Sequence, residues 1–374
     1  MKFVYLANVR MPTEKAHGIQ IMKTCEALAG QGVEVELLVP KRHNFIKEDP
    51  FVFYKLPTTF SITRLWCWDL VSANFFGALG FWLESWTFFR SLKNYLQLRG
   101  GAVFYTRDLA LAYWLSEVSS DIYYEIHNLP EKTDARHQAV WNRAKGLVVI
   151  SNGLKKELVR RGVPQEKILV AHDAVDLKEF TVPESKEDCR KKLHLPLDKK
   201  IVVYTGHLYE WKGARVLTEA ARTLPTSVAV YLVGGTELDI LKFRTEYQQV
   251  SQLHFIGWQE HSQMVYWQKV ADVLILPTSS KNVVGEKYTS PLKLFEYLAS
   301  GTPIIASDSA AIREILNEKN SILVKPDSPD ALQRAIKELL QNPTKYASLG
   351  VKGHQDSLNY SWGKRAQLIV SFVS

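Results

Sequence analysis

Residues 288–308, YTSPLKLFEYLASGTPIIASD, place an acid, Glu296, one and a half turns into an amphipathic segment that begins at Ser290-Pro291 and stops at Gly301. A serine can cap free backbone N–H groups, and a proline at the first helical position loses nothing by lacking its own. Such an N-terminus favours phosphate, and Lys293 beside it adds positive charge. Glu296 is then within reach of a ligand lying across the helix start; the plainer reading is a surface acid on an ordinary amphipathic helix. A second cluster, residues 204–213, reads YTGHLYEWKG. Gly206 and Gly213 permit close backbone approach, and Lys212 can set a point charge on a phosphate or simply stand in solvent. His127 follows the apolar run 122–126, and Arg107-Asp108 follows the run 103–105. A histidine just past a strand has a structural reading as well as a chemical one. His261 and His354 read as surface residues.

These groups need a scaffold, and the chain repeats a strand-then-helix rhythm that implies a parallel sheet. Strands are expected at 3–6, 33–39, 103–105, 122–126, 147–150 and 168–170, and the rhythm restarts with 201–204, 229–233, 254–256, 273–276 and 304–306. Helices are expected over 18–29, 152–161 and the last segment, 360–374. The polar stretch 176–200 lies between the two halves. The expectation is an α/β chain of two Rossmann-like domains facing a cleft, 1–175 together with 360–374, and 176–359. In open α/β sheets ligands bind beyond the carboxyl ends of strands, where the candidate residues fall.

The run from Tyr288 to Asp308, with Gly206, Lys212 and Gly213, resembles the donor-binding elements of the retaining GT-B glycosyltransferases called glycosyl transferases group 1, or family 4. The resemblance implies that the second domain binds a nucleoside diphosphate sugar, with Glu296 accepting the ribose hydroxyls and Ser290, Pro291, Leu292 and Lys293 forming the phosphate-binding turn. It places Gly234 near the base, where Trp258 either packs on the base or joins the core, and Gly18 beside the donor phosphate. His127 corresponds to a residue beside the donor sugar and leaving phosphate, so His127 and Lys212 are the expected catalytic pair. Arg10, His17, Arg107 and Asp108 are expected on the acceptor side, and residues 360–374 are expected to cross back onto the first domain.

The chain departs from the family pattern in places. Tyr288 stands where an acid normally holds a donor-sugar hydroxyl, with Glu286 a possible substitute, and His207 stands where arginine is common. The implied reaction moves a sugar to a hydroxyl on a glycan or lipid-linked glycan with retention of anomeric configuration. The alternatives are a silent nucleotide-binding GT-B subunit and a GT-B epimerase or phosphorylase.

With 374 residues, 46% hydrophobic and 23% charged, the chain is globular and fits two domains. Cys25, Cys67 and Cys189 are odd in number and lack metal spacing, which suits a reducing compartment. The start, MKFVYLANVR, breaks too soon for a signal peptide's hydrophobic region, so a cytoplasmic location is expected. No Asp-x-Asp triplet occurs, and neither metal nor other cofactor is expected. A net charge of +8 favours acidic partners. Without an RNA-recognition or zinc-knuckle signature, nucleic acid is not among the expected ones. Residues 60–98 crowd Phe60, Trp66, Trp68, Phe75, Phe76, Phe81, Trp82, Trp86, Phe88 and Phe89 among Arg64, Arg90 and Lys93, with Arg99 just beyond. The segment is too polar to span a bilayer, and its least polar part, 70–83, is shorter than the roughly 20 residues a spanning helix requires; it reads either as packing between helices or as a patch for peripheral contact with an anionic membrane.

Overall fold

Short runs rich in valine, isoleucine and leucine, ended by glycine, proline or polar residues, form parallel strands covered on both faces. In the computed structural model, which describes residues 1–70, 77–96 and 101–374, such runs build two separate sheets. The first contains β1 (Lys2–Leu6), β2 (Glu34–Pro40), β3 (Ser61–Leu65), β4 (Ala102–Thr106), β5 (Ile122–Ile126), β6 (Gly146–Val149) and β7 (Ile168–Val170), in the order β3-β2-β1-β4-β5-β6-β7. The second contains β8 (Lys200–Thr205), β9 (Val228–Val233), β10 (Leu253–Gly257), β11 (Val273–Leu276), β12 (Ile304–Ser307) and β13 (Ile322–Val324), in the order β10-β9-β8-β11-β12-β13. Every named pairing is parallel. The order reverses between β1 and β4 and between β8 and β11, which are the switch points where such sheets open a crevice.

The chain separates into two compact units, Met1–His172 with Trp362–Ser374, and Asp173–Ser361. In the first, the helix Trp362–Val373 packs on the helix Ala16–Ala29, and Ala366, Ile369 and Val373 join Ile21, Met22 and Cys25 in one core. In the second, the helix Leu292–Ser300 sends Leu294, Phe295, Tyr297 and Leu298 into the core. Burying each such side chain stabilises by about 1.5–3 kcal/mol, so packing sets where this helix lies.

Two strands escape the periodicity argument. β3 is an edge strand whose sequence, SITRL, is too polar to look buried, and β13 has only three residues. The stretch 176–200 is not a bare connection: Asp176 caps a 3-10 turn, Leu177–Phe180, and Ser185 with Asp188 forms a capping box for the helix Lys186–Lys192. That helix is anchored by Cys189 in the core and by Arg190 Nη2 on Asp272 Oδ2 at 2.9 Å. Cys25, Cys67 and Cys189 are free and buried.

Candidate functional site

In the second unit β8 ends at Thr205 and runs straight into Gly206, whose φ of 120° belongs to glycine. The turn after β9 meets it closely: a Cβ on Gly234, itself at φ 116°, would lie 2.6 Å from the Gly206 carbonyl oxygen. Tyr204 Oη donates to the His207 carbonyl at 2.6 Å, and the His207 ring stacks on Tyr209 with centroids 4.9 Å apart. Gly213, at φ 73°, would carry a Cβ only 1.7 Å from the Pro277 carbonyl oxygen, so the turn holding Lys212 presses against the chain leaving β11.

One lysine approaches this glycine turn, and a second, Lys212, is near enough to act on it. Lys293 Nζ donates to the Thr205 carbonyl at 3.0 Å, sits 3.8 Å from the centre of the Tyr204 ring, and would lie 3.5 Å from a Cβ at Gly206. Burial, and then the positive charge of Lys212, hold Lys293 well below the usual lysine range. Burial pushes Lys212 down too. Two partly shielded cations that raise each other's cost form a place where an anion gains on arrival.

The adjoining helix starts one residue later than the sequence suggests. Pro291 is extended (φ −74°, ψ 131°) and occupies the cap position, no side chain caps the helix, and Ser290 Oγ accepts from the Asp173 N–H at 3.2 Å instead. With Pro291 outside the helix, the Ser290 hydroxyl is one residue too early to cap. The first N–H groups of the helix, beginning at Leu292 and Lys293, have no intrahelical acceptor. One and a half turns on, Glu296 is buried; its Oε1 lies 3.0 Å from His261 Nε2, and its Oε2 accepts from Gln268 Nε2 at 3.2 Å. His261 is therefore no mere surface residue, and its Nδ1 lies 3.5 Å from Glu179 Oε2. His354 is likewise engaged, its Nδ1 2.7 Å from the Ala299 carbonyl at the end of the same helix. Tyr288 is buried at the end of a π-turn, and Trp258, 53% exposed after Gly257, is not a core residue.

In the first unit the chemistry gathers around Glu125, a fully buried carboxylate on β5. Its Oε1 receives His127 Nε2 at 2.5 Å, Arg365 Nη2 at 2.7 Å and Gln20 Nε2 at 2.7 Å, while Tyr105 Oη donates to Oε2. Burial alone would raise this carboxyl group; Arg365, then His127 and Arg107, outweigh it and hold the pKa well below the usual range. Arg107 Nη1 donates to Gln20 Oε1, which orients the amide. Nearby His17 is pushed down to about 4 by burial and by Arg107 and Lys15. Among the described residues no group of three or more His, Cys, Asp or Glu side chains is placed to hold a metal ion.

Residues 185–356, nearly the whole second unit, match the family model described as Glycosyl transferases group 1. The second unit belongs to this family. Similar curated proteins include a D-inositol 3-phosphate glycosyltransferase of Corynebacterium urealyticum, 24% identical over 65% of this chain and 60% of the relative. Another is the putative teichuronic acid biosynthesis glycosyltransferase TuaC of Bacillus subtilis, 27% identical over 63% of this chain and 57% of the relative. The chain thus spans somewhat over half the length of these relatives. Among solved structures, a sucrose-phosphate synthase from Thermosynechococcus elongatus superposes with a TM-score of 0.79 at 20% identity, covering 99% of this chain and 97% of the other. Anabaena Alr3699/HepE, in complex with UDP and glucose, gives 0.76 at 16% identity over 99% and 98%. These likenesses show the fold, two Rossmann-like domains of the GT-B type.

In the first unit several expectations change. The Gly18 N–H already donates to the Lys15 carbonyl at 2.9 Å, and a Cβ at this position would lie 2.1 Å from Tyr54 Oη. Packing against Tyr54 requires the glycine, and its N–H is not free for a donor phosphate. Asp108 caps the helix Leu109–Leu115 through the Leu111 N–H at 3.0 Å, a structural use in place of an acceptor contact. Arg10 pairs with Glu14 at 2.9 Å. Sequence reasoning passed over Glu125, Gln20, Arg365 and His261. A signal for Glu125 was present, since a charge inside an apolar run that forms a doubly covered strand needs partners. None existed for Arg365, which reaches Glu125 across 240 residues of sequence.

Proposed function

We propose that this chain is a glycosyltransferase that moves a sugar from a nucleoside diphosphate sugar to a hydroxyl of a glycan or lipid-linked glycan, with retention of configuration. The observation that carries the reading is the pair Lys212 and Lys293 at the Gly206 turn, beside the start of the helix Leu292–Ser300. The diphosphate takes its charge compensation from these ammonium groups and the backbone N–H groups of Leu292 and Lys293, so transfer needs no divalent metal. Glu296, now holding His261 and Gln268, exchanges those partners for the ribose hydroxyls. Gly234 and Trp258 lie near the base, and His127 acts beside the donor sugar. Arg10, His17 and Arg107 serve the acceptor. The UDP bound to Alr3699/HepE supports the ligand class.

The direct test is thermal unfolding against UDP, GDP, ADP, TDP and CDP, followed by a search for product carrying donor sugar joined to acceptor, with and without EDTA. A ligand at a hundred times its dissociation constant stabilises by roughly 2.7 kcal/mol. Selective stabilisation by one nucleotide names the donor class, and an α-to-β change in the product overturns retention. Tyr288, buried where the family pattern has an acid, is the observation favouring a second reading, a nucleotide-binding subunit without transferase activity. Stabilisation without transfer selects it, and interconversion of the nucleotide sugar without an acceptor selects an epimerase.

The acceptor proposal extends to location at the inner face of a membrane. No helix among the described residues is long and apolar enough to cross one. On the helix Gly77–Leu96, however, Leu79, Trp82 and Trp86 are exposed along one face, Arg90 lies 5.2 Å from the centre of the Trp86 ring, and Trp66 and Trp68 are exposed nearby in sequence. Phe88 and Phe60 take the core role instead. Phe75, Phe76 and Arg99 lie outside the described residues. Binding to anionic but not neutral vesicles, reduced in Trp82→Ala with Trp86→Ala, is the expected outcome.

A further inference from the structure

The group nearest His127 is the carboxylate two residues before it on the same strand, because β-strand side chains repeat every second residue and share a face. Glu125 has no access to water and is built into a network that reaches three other elements: Gln20 on the helix Ala16–Ala29, Tyr105 on β4, and Arg365 on the C-terminal helix Trp362–Val373. Arg365 is itself buried, and it also donates to the His172 carbonyl at 3.1 Å and to Thr24 Oγ1 at 3.4 Å. We propose that Glu125 is a positioning residue for His127, and that Arg365, delivered by the C-terminal helix, is the counter-charge that limits how strongly Glu125 grips the imidazole. The inference rests on the reading of His127 as the group beside the donor sugar.

His127 and Arg365 bond to the same oxygen, Glu125 Oε1. With both present the carboxylate's negative charge is divided. His127 Nε2–H points at the carboxylate, which fixes the ring plane. Among the described residues, the charged and titratable groups near this imidazole include Glu125 from its own strand, His17 from the helix Ala16–Ala29, Arg107 from the segment after β4, and Arg365 through the shared oxygen. Gln20, held by Arg107, lies 3.3 Å from His127 Nε2 and adds orientation without charge. Removing the carboxylate leaves the imidazolium facing Arg365 and Arg107 uncompensated. Removing Arg365 leaves a larger share of the carboxylate charge to His127.

The two changes must therefore move His127 in opposite directions, which a merely structural contact does not do. The experiment is a pH titration of the full chain labelled with ¹⁵N-histidine, followed by NMR, with His127→Gln assigning the resonance. Glu125→Gln is expected to lower the His127 pKa by about one unit or more, and Arg365→Met to raise it by about as much. Arg365→Lys, which retains charge and disturbs packing least, is expected to leave it near the wild-type value and serves if Arg365→Met fails to fold. Unchanged titration in Glu125→Gln, or shifts of the same sign in Glu125→Gln and Arg365→Met, overturns the proposal. In transfer assays Glu125→Gln should lose about tenfold or more in kcat with the donor KM within about twofold, and its pH profile should shift with the NMR titration. Opposite NMR shifts in a chain that transfers no sugar would support the coupling and sink the proposed function. Wild-type transfer with an unmoved His127 would do the reverse.

Discussion

Each unit carries a buried glutamate next to a histidine, and the two pairs are built differently. Glu125 is met by an arginine, a histidine, an amide and a phenol and is wholly enclosed; Glu296 is met by His261 and the neutral amide of Gln268 and remains 8% exposed. A carboxylate with a buried arginine on it is costly to release, whereas one held by a partly exposed histidine and an amide can trade them for hydroxyl groups. The difference separates a glutamate that organises a site from one that receives a ligand. The same contrast holds for the basic groups: Arg365 is paired with a carboxylate, whereas Lys293 donates to the Thr205 carbonyl and is held below the usual lysine range by burial and by Lys212.

The strongest way to break this comparison is to remove each carboxylate. Glu125→Ala strands Arg365 in the core and is expected to destabilise the chain by about 3–5 kcal/mol in denaturant unfolding; Glu296→Ala, which leaves only neutral donors and a partly open histidine, should cost about 1 kcal/mol. Equal losses would mean that the two sites are the same kind of structure. Next in size is the effect on ligand: Glu296→Ala should weaken nucleotide binding by about 1.5–3 kcal/mol, roughly ten- to 150-fold, in a calorimetric titration. Unchanged affinity would remove Glu296 from the ribose.

A pH test sharpens the electrostatic side. His17 has a pKa of about 4 in the folded chain, below the ordinary histidine value, so folding favours its neutral form. The unfolded chain takes up the proton first as pH falls, and stability drops from about pH 6.5 down to about 4. Between pH 7 and 5 the loss is at most about 2 kcal/mol, trimmed by solvent screening, and should be absent in His17→Gln when denaturation midpoints are compared. Glu125 does not contribute there: its lowered pKa keeps its stabilisation intact until the pH falls below the ordinary carboxylate range. The smallest effect concerns Lys293. A bound diphosphate restores its proton, so nucleotide affinity should fall by up to about tenfold per pH unit as pH rises above the free-state pKa, with proton uptake measurable in buffers of differing ionisation enthalpy. Lys293→Met should abolish that uptake.

Much of the second unit was legible in the chain itself. Gly206, Gly213 and Gly301 all take positive φ where the motifs required turns, and Ile304–Ser307 is the buried strand its β-branched run suggested. The cap was misread because both Ser290 and Pro291 are good N-terminal residues, and only the backbone at Pro291 decides which one enters the helix. Less of the first unit could be read. Gly18 looked like a phosphate glycine, but it is required by Tyr54, a neighbour no local pattern announces. Asp108 looked ligand-facing because it follows a strand, yet the same position also begins a helix, and capping claims it.

What the sequence determined by itself is local: where apolar runs make strands, where glycines end them, and hence that Lys212 and His127 stand just past strands and Glu296 within the helix that follows a turn. Periodicity and turn chemistry act over a few residues, so a single chain displays them. Only the tertiary structure decided which charges meet. Arg365 on Glu125, His261 on Glu296 and Lys293 beside Gly206 are set by the packing of helices on sheets, and the energy of each depends on distance and lost water, which no spacing in a sequence contains.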